Sequence, residues 1–403
     1  FGGLAWTNGT ATWDMVSKNW TNAQGAAANY SESSIPGSAV VFDDTGNGAG
    51  PIRVTNTITV TPLRVTFNNS TKDYVLTGAG GRISGATGLT KLGTGNVTFG
   101  ITGASDYAGD TLISSGKLIL GANNQIPDGA GKSNVTIATA AVLDMGGYSD
   151  TINSLLGDGV VTNSAGNGSL TVGANNGTFT FQGSIRGTSG TLAFSKAGSG
   201  VLTLTGTNSY TSTSVKGGLL LLTNGSIIVN SAGSSVGSAL GDNNASVTIT
   251  GAGSMWTNTS SLAVGSVGTA NSLTITGGGS VHNGAAGSIG IAAGVGNNSV
   301  LISGAGSRWR NSSSLTVGVS GSGNTLSITG NGNAYNGAVS TIGSAAGAAG
   351  NSVVINGAGS LWYVGGRVDV GAGGSFNTLV VTNGGVMTNT SYIYVGANAG
   401  ADD

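Results

Sequence analysis

Short runs of alternating apolar and polar residues recur along the chain. Val247-Thr-Ile-Thr, Ser272-Leu-Thr-Ile-Thr and Leu262-Ala-Val-Gly place apolar side chains at every second position. That is the period of a strand with one buried face. Glycine-rich breaks between the runs predict turns. The runs also repeat at long range: Trp256, Trp309 and Trp362 are separated by 53 and 53 residues. In the same register lie GAGS from Gly251, Gly304 and Gly357, a Val-Gly pair from Val264, Val317 and Val370, and Asn271, Asn324 and Asn377. Ile289, Ile342 and Val395 follow. Three units therefore cover 245–297, 298–350 and 351–403, and a fixed period of this length is the signature of a solenoid or array. Each unit divides into similar halves. Val247-Thr-Ile-Thr-Gly resembles Leu273-Thr-Ile-Thr-Gly 26 residues on, and Val264-Gly265 resembles Ile289-Gly290 25 residues on. One coil per half predicts six coils, rising about 29 Å at a strand spacing of about 4.8 Å.

Alternation also assigns faces. Arg308 and Arg310 flank Trp309, and a charged side chain does not sit unpaired in an apolar core. The arginines therefore point outward and Trp309 inward. By register Trp256, Trp309 and Trp362 form a structural core, with Val281, Ala334 and Met387 between them. Large and small side chains then alternate up the interior. Residues 46–244 repeat more loosely and are predicted to continue the solenoid. Residues 1–45 differ: Trp6, Trp13 and Trp20 are spaced by seven. Asn8-Gly9 is a strong hairpin signal, predicting Trp6 opposite Ala11 and on the face of Trp13. This segment is predicted to be an aromatic cap or docking element, since a solenoid end must be shielded or paired.

Composition narrows the class. Glycine supplies 76 of the 403 residues and charged residues only 7%, where globular proteins average about 7% and about 25%. Collagen is excluded, because glycine has no period of three and there are only four prolines. Helix is disfavoured, since glycine, threonine, serine and asparagine are poor helix formers. A net charge of −1 gives no electrostatic reason to bind nucleic acid or an anionic membrane. No apolar run is long enough to span a bilayer. Cysteine is absent and the chain begins at Phe1. The first fits an exported protein, and the second fits either a mature chain from which a signal peptide has been removed or a piece excised from a longer one.

Between the N-terminal segment and the 53-residue units, Leu89-Thr-Lys-Leu-Gly-Thr-Gly-Asn-Val-Thr-Phe is echoed by Phe194-Ser-Lys-Ala-Gly-Ser-Gly-Val-Leu-Thr-Leu. These segments resemble the autotransporter-associated β-strand repeat. Lys91, Gly93, Gly95, Tyr107, Gly116 and Leu118 match in the first copy. Lys196, Gly198, Gly200, Asn208, Tyr210 and Gly218 match in the second. The stretch 143–163 is similar to one often found between such repeats. The first copy has two extra residues before Tyr107, and the second lacks the glycine after Tyr210. The resemblance implies an all-β, right-handed parallel β-helix, exported by a Gram-negative type of bacterium to its surface or beyond. It implies no activity.

Candidate chemistry is sparse. A polysaccharide lyase or hydrolase needs convergent carboxylates. Asp43-Asp44 is the one adjacent acid pair apart from Asp402-Asp403, and strand neighbours face opposite sides. Asp106 and Asp110 flank Tyr107 at variable turn positions of the repeat. His282 is the sole histidine. It falls outward, in register with Thr257, Arg310, Tyr335, Tyr363 and Thr388, and reads as a surface position. Gly78-Ala-Gly-Gly lacks the lysine of a phosphate loop. Gly157-Asp158-Gly159 is a single, incomplete echo of a calcium nonapeptide. The threonine pairs at Thr248/Thr250 and Thr274/Thr276 are not kept one unit on. No catalytic, cofactor-binding or metal residue is expected, and no cofactor. The sequence predicts a non-enzymatic extracellular subunit that assembles with copies of itself, head to tail, into a filament or layer. The docking groups would be Tyr392 and Tyr394 on one subunit and Trp6, Trp13 and Trp20 on the next. The alternative is a passenger adhesin that binds a host or matrix ligand.

Overall fold

The structure, a computed structural model, describes residues 3–396. Phe1 and Asp402-Asp403 lie outside the described residues. All regular elements described are β-strands. Two compact units, Phe1–Ala193 and Phe194–Asp403, are taken in turn.

In the first unit, parallel strands stack into coils. Val40–Asp43, Val65–Asn68, Leu89–Lys91, Thr111–Ile113, Val135–Ile137 and Leu155–Gly157 form one sheet in register. Ile52–Thr55, Tyr74–Gly78, Asn96–Ile101, Lys117–Leu120, Val142–Asp144 and Val160–Asn163 form a second. Alternate residues are buried, as in Asn96–Ile101. The N-terminal end breaks the parallel rule. Leu4–Trp6 pairs antiparallel with Trp20–Thr21, which pairs antiparallel with Ala27–Ala28.

The predicted hairpin at Asn8-Gly9 does not form. Trp6 lies opposite Trp20, and Ala11 lies opposite Val54 in the other sheet. Neither Asn8 nor Gly9 has positive φ, which a type I′ turn demands at both central residues. Asn8 instead marks the corner between two sheets. A corner lets both Trp6 and Trp13 turn inward, and burying two indoles outweighs a locally favoured turn. The result is an aromatic cluster around Phe42. Trp6, Trp13 and Trp20 sit with ring centroids 5.8, 5.6 and 5.4 Å from it, and Phe67 stacks on it at 4.8 Å.

In the second unit each coil contributes three strands. From residue 245 the six coils carry one strand in each sheet, beginning with Ser246–Thr250, Met255–Asn258 and Leu262–Val264 and ending with Thr378–Thr382, Val386–Asn389 and Ile393–Val395. Every pairing among them is parallel and without register slip. Trp256, Val281, Trp309, Ala334, Trp362 and Met387 follow one another up the second sheet. The three tryptophans are fully buried. Gly287 makes room in the neighbouring sheet, since a Cβ there would stand 2.7 Å from the Trp309 ring.

Two asparagine ladders line the corners. Asn271, Asn298, Asn324, Asn351 and Asn377 each pass an amide N–H to the next side-chain oxygen at 3.1, 3.1, 2.9 and 3.0 Å. Asn258, Asn283 and Asn311 form the second, at 2.9 and 2.7 Å. The Val-Gly signature is explained by the first ladder. Gly265, Gly318 and their half-unit equivalents Gly290 and Gly343 have φ between 69° and 76°. A Cβ on any of them would stand 2.2 Å from an atom of the asparagine amide of the following coil.

Candidate binding surface

The residues that carry the family resemblance lie inside. Lys91 is fully buried, and its ammonium donates to the carbonyl of Gly93. Lys196 donates to the carbonyls of Ala197, Gly198 and Gly217 at 2.6, 3.0 and 3.2 Å. Burial pushes both ammonium groups down, each to about 8. The glycines of the motif crowd the same cage: a Cβ at Gly116 would stand 2.6 Å from the carbonyl oxygens of Gly93 and Gly95. Tyr107 is buried with its hydroxyl 2.7 Å from Thr111 Oγ1, and burial raises its pKa. The motif is a way of closing a coil, with a buried cation satisfied by turn carbonyls.

The acids do not converge. Asp43 accepts hydrogen bonds from its own turn at Thr45 and borders a shallow groove of about 310 Å³, with Thr7, Thr21, Asn22, Thr66 and Asn68. Asp44 turns away to cap the next coil, accepting the backbone N–H groups of Ser70, Thr71 and Lys72 at 3.0, 2.9 and 3.1 Å. Desolvation raises its pKa, but those bonds outweigh it and hold the carboxyl below the usual range. Asp106 pairs with Arg82 at 3.7 Å, and Asp110 accepts the Asn134 N–H. Asp150 is buried between the N–H groups of Gln125 and Ile126, and desolvation raises it to about 7. No group of three or more His, Cys, Asp or Glu able to hold a metal occurs among the described residues.

The outer face of the second sheet in the 53-residue units is chemically richer. Thr257, His282, Arg310, Tyr335, Tyr363 and Thr388 stand in one column, one residue per coil. Arg310 stands over the Tyr335 ring, 5.3 Å from its centroid. Tyr335 stacks on Tyr363 at 4.3 Å with the planes 11° apart. Arg308, two residues before Arg310, is exposed on the same face. The parallel column beside them runs Ser280, Arg308, Asn333 and Leu361. His282, Arg308, Arg310 and Tyr335 are all exposed. Sequence reasoning placed this column in register but saw only ordinary surface in it. The missed signal was that a cation and two tyrosines occupy adjacent rungs.

The proposed docking groups divide. Tyr392 and Tyr394 are exposed, by 70% and 46%. Trp6, Trp13 and Trp20 are fully buried, so they form a cap from within, and their side chains offer no surface to a neighbour.

Two stretches of the chain, 89–124 and 194–222, match the family described as the passenger-associated-transport-repeat. The chain is also similar to the adhesin BmaC autotransporter of Brucella suis biovar 1 (strain 1330), with 29% identity over 225 residues, covering 53% of this chain. The chain spans 6% of the length of that much larger relative. No solved structure matches it.

Proposed function

We propose that this chain, a β-solenoid of the autotransporter passenger repeat family, is part of a surface-displayed adhesin of a Gram-negative bacterium. It works without catalysis, as extracellular β-solenoid coils whose outer faces meet the ligand. The carrying observation is that both repeats matching the passenger family are built into coil interiors, through Lys91 and Lys196. The outside of each coil is thereby left free to vary. The likeness to an autotransporter adhesin supports the same reading. Parallel coils fit this role because each adds length through nearest-neighbour contacts alone. The test is display. The chain, fused to a heterologous translocator on a non-adherent Gram-negative host, should confer binding to immobilised extracellular-matrix material. Protease shaving should abolish that binding. A displayed, folded chain that confers none removes the reading.

Head-to-tail self-assembly is the second reading, supported by the coil of 378–395. Val380, Val381, Ile393 and Val395 are exposed there by 42–61%. Partners would be copies of the chain, and concentration-dependent light scattering of purified protein tests it. A particle mass fixed at one chain across the range removes it.

A further inference from the structure

We infer that the column His282–Arg310–Tyr335–Tyr363, with Arg308 beside it, binds an acidic polysaccharide lying along the coil axis. The inference rests on the adhesin reading and names its ligand class.

Charge is the first ground. From 245 to 396 the sequence contains three arginines and one carboxylate, Asp369. Asp369 is engaged by Arg367 at 3.0 Å. Arg308 and Arg310 therefore carry uncompensated positive charge on a face without an acid, and a ligand of opposite sign supplies what is missing. Arrangement is the second ground. Arg310 and Tyr335 meet ring face to cation, and Tyr335 and Tyr363 meet face to face. These contacts hold long side chains in place before a ligand arrives, which lowers the ordering cost of binding. A cation–π contact leaves the guanidinium N–H edge available, and that planar fork matches a carboxylate or sulfate. The phenol hydroxyls add donors and acceptors that suit sugar hydroxyls.

Shape decides the class of ligand. The face is one side of a sheet, with one functional residue per coil at a spacing of about 4.8 Å. A small molecule would touch one or two rungs, whereas an extended polymer touches all of them. Nucleic acid is disfavoured, because two arginines neutralise far fewer phosphates than the roughly 6–10 contacts of a typical binder. An added peptide strand would need an open sheet edge, and this column lies on a face. An acidic glycan of modest charge density, rich in hydroxyls, fits the remaining description.

The experiment uses the full chain on biosensor tips carrying heparin, hyaluronan or dextran, which separate sulfate, carboxylate and neutral sugar. The wild type should bind at least one acidic glycan and not dextran, with binding weakened by salt. Arg308→Gln/Arg310→Gln should weaken it by about tenfold or more, as expected for losing two charge-assisted contacts. Tyr335→Ser/Tyr363→Ser should weaken it with charge unchanged. Arg53→Gln/Arg64→Gln, which removes the same charge from exposed positions in the other unit, should leave it intact. Far-UV circular dichroism checks that each variant is folded. Binding unaffected by the paired Arg308/Arg310 change, equal loss in the Arg53/Arg64 control, or no binding to either acidic glycan would overturn the inference. The display assay separates the two readings. If displayed cells adhere equally with and without Arg308 and Arg310, the adhesin stands and the column is not its site. If purified chain binds the glycan through the arginines but displayed cells do not adhere, the column stands and the adhesin reading falls.

Discussion

Replacing Gly318 by alanine isolates the contact that sets the repeat period. Gly318 has φ +76° and Gly347 has φ +87°. Alanine in this region costs about 1–2 kcal/mol at either site, because Cβ crowds the following carbonyl. The sites differ in what the new Cβ meets. At Gly347 nothing lies within 4 Å, whereas at Gly318 the Asn351 amide atoms stand at 2.2, 2.3 and 2.5 Å. The Asn351 side chain has to leave. Its oxygen accepts both the backbone N–H and the side-chain N–H of Asn324, at 3.0 and 2.9 Å. Asn324 is fully buried, so each stranded donor costs about 1–3 kcal/mol. Gly318→Ala is therefore expected to cost about 3–8 kcal/mol and Gly347→Ala about 1–2 kcal/mol. Long repeat arrays can lose two-state behaviour, so the urea midpoint is paired with a local probe, amide exchange at Asn324. Exchange there should accelerate in Gly318→Ala and stay slow in Gly347→Ala. Adding Asn351→Ala to Gly318→Ala should cost less than the sum of the single changes, because both remove the same side chain from the same place. Equal midpoint shifts for the two glycines, or full protection of Asn324 in Gly318→Ala, would refute the reasoning.

Trp309→Ala should cost about 3–5 kcal/mol, as for a large buried aromatic, whereas Arg308→Ala should stay within about 0.5 kcal/mol; denaturant melts giving the reverse order would invert the face assignment. Trp13→Ala should destabilise the N-terminal unit by a similar about 3–5 kcal/mol and reduce near-ultraviolet dichroism, since its ring lies 5.5–5.6 Å from Tyr30, Trp20 and Phe42. The same unit should show opposing pH limbs. Desolvation raises Asp150 from 3.8 to about 7, so the folded state holds the extra proton, and this stability is lost as pH rises from about 4 through 7. Desolvation lowers Lys91 from 10.5 to about 8, so the unfolded state holds the extra proton and stability is gained from about 8 to 10.5. Burial raises Tyr30, Tyr74 and Tyr107 above 10, and their contribution is lost above pH 10. Urea midpoints across pH check these limbs, and Asp150→Asn should flatten the acid one.

How much of this was legible depends on whether a contact repeats. The coil period could be read because one steric fact recurs. Gly265, Gly290, Gly318 and Gly343 each face the asparagine of the following coil, so glycine and asparagine must keep step along the chain. The tryptophan column was legible for a similar reason, since a ring inside one coil needs a small neighbour in the next, as with Trp309 between Val281 and Ala334. Nothing repeats at the N-terminal end. There the local preference of Asn8-Gly9 competed with the burial of Trp6, Trp13 and Trp20 around Phe42, and a sequence does not display the sum of long-range burial.

The outer column was hidden by a different circumstance. His282, Arg310, Tyr335 and Tyr363 are 28, 25 and 28 residues apart, and only stacking coils one strand spacing apart makes a cation and two rings adjacent. Comparison of the two faces of the same strands shows where change is permitted. Inward, Asn258, Asn283, Asn311 and Asn336 keep one residue type over four coils, with the first three amides bonded in series, before Val364 takes the position. Outward, one position over on the same strands, threonine, histidine, arginine and tyrosine succeed each other. An inner rung is held by the side chains above and below it, whereas an outer rung that meets only water can change without loss of fold. In a solenoid built from near-identical units, a surface position that departs from the repeat and yet forms ordered contacts with its neighbours, as Arg310 does with Tyr335, is therefore where recognition is to be sought.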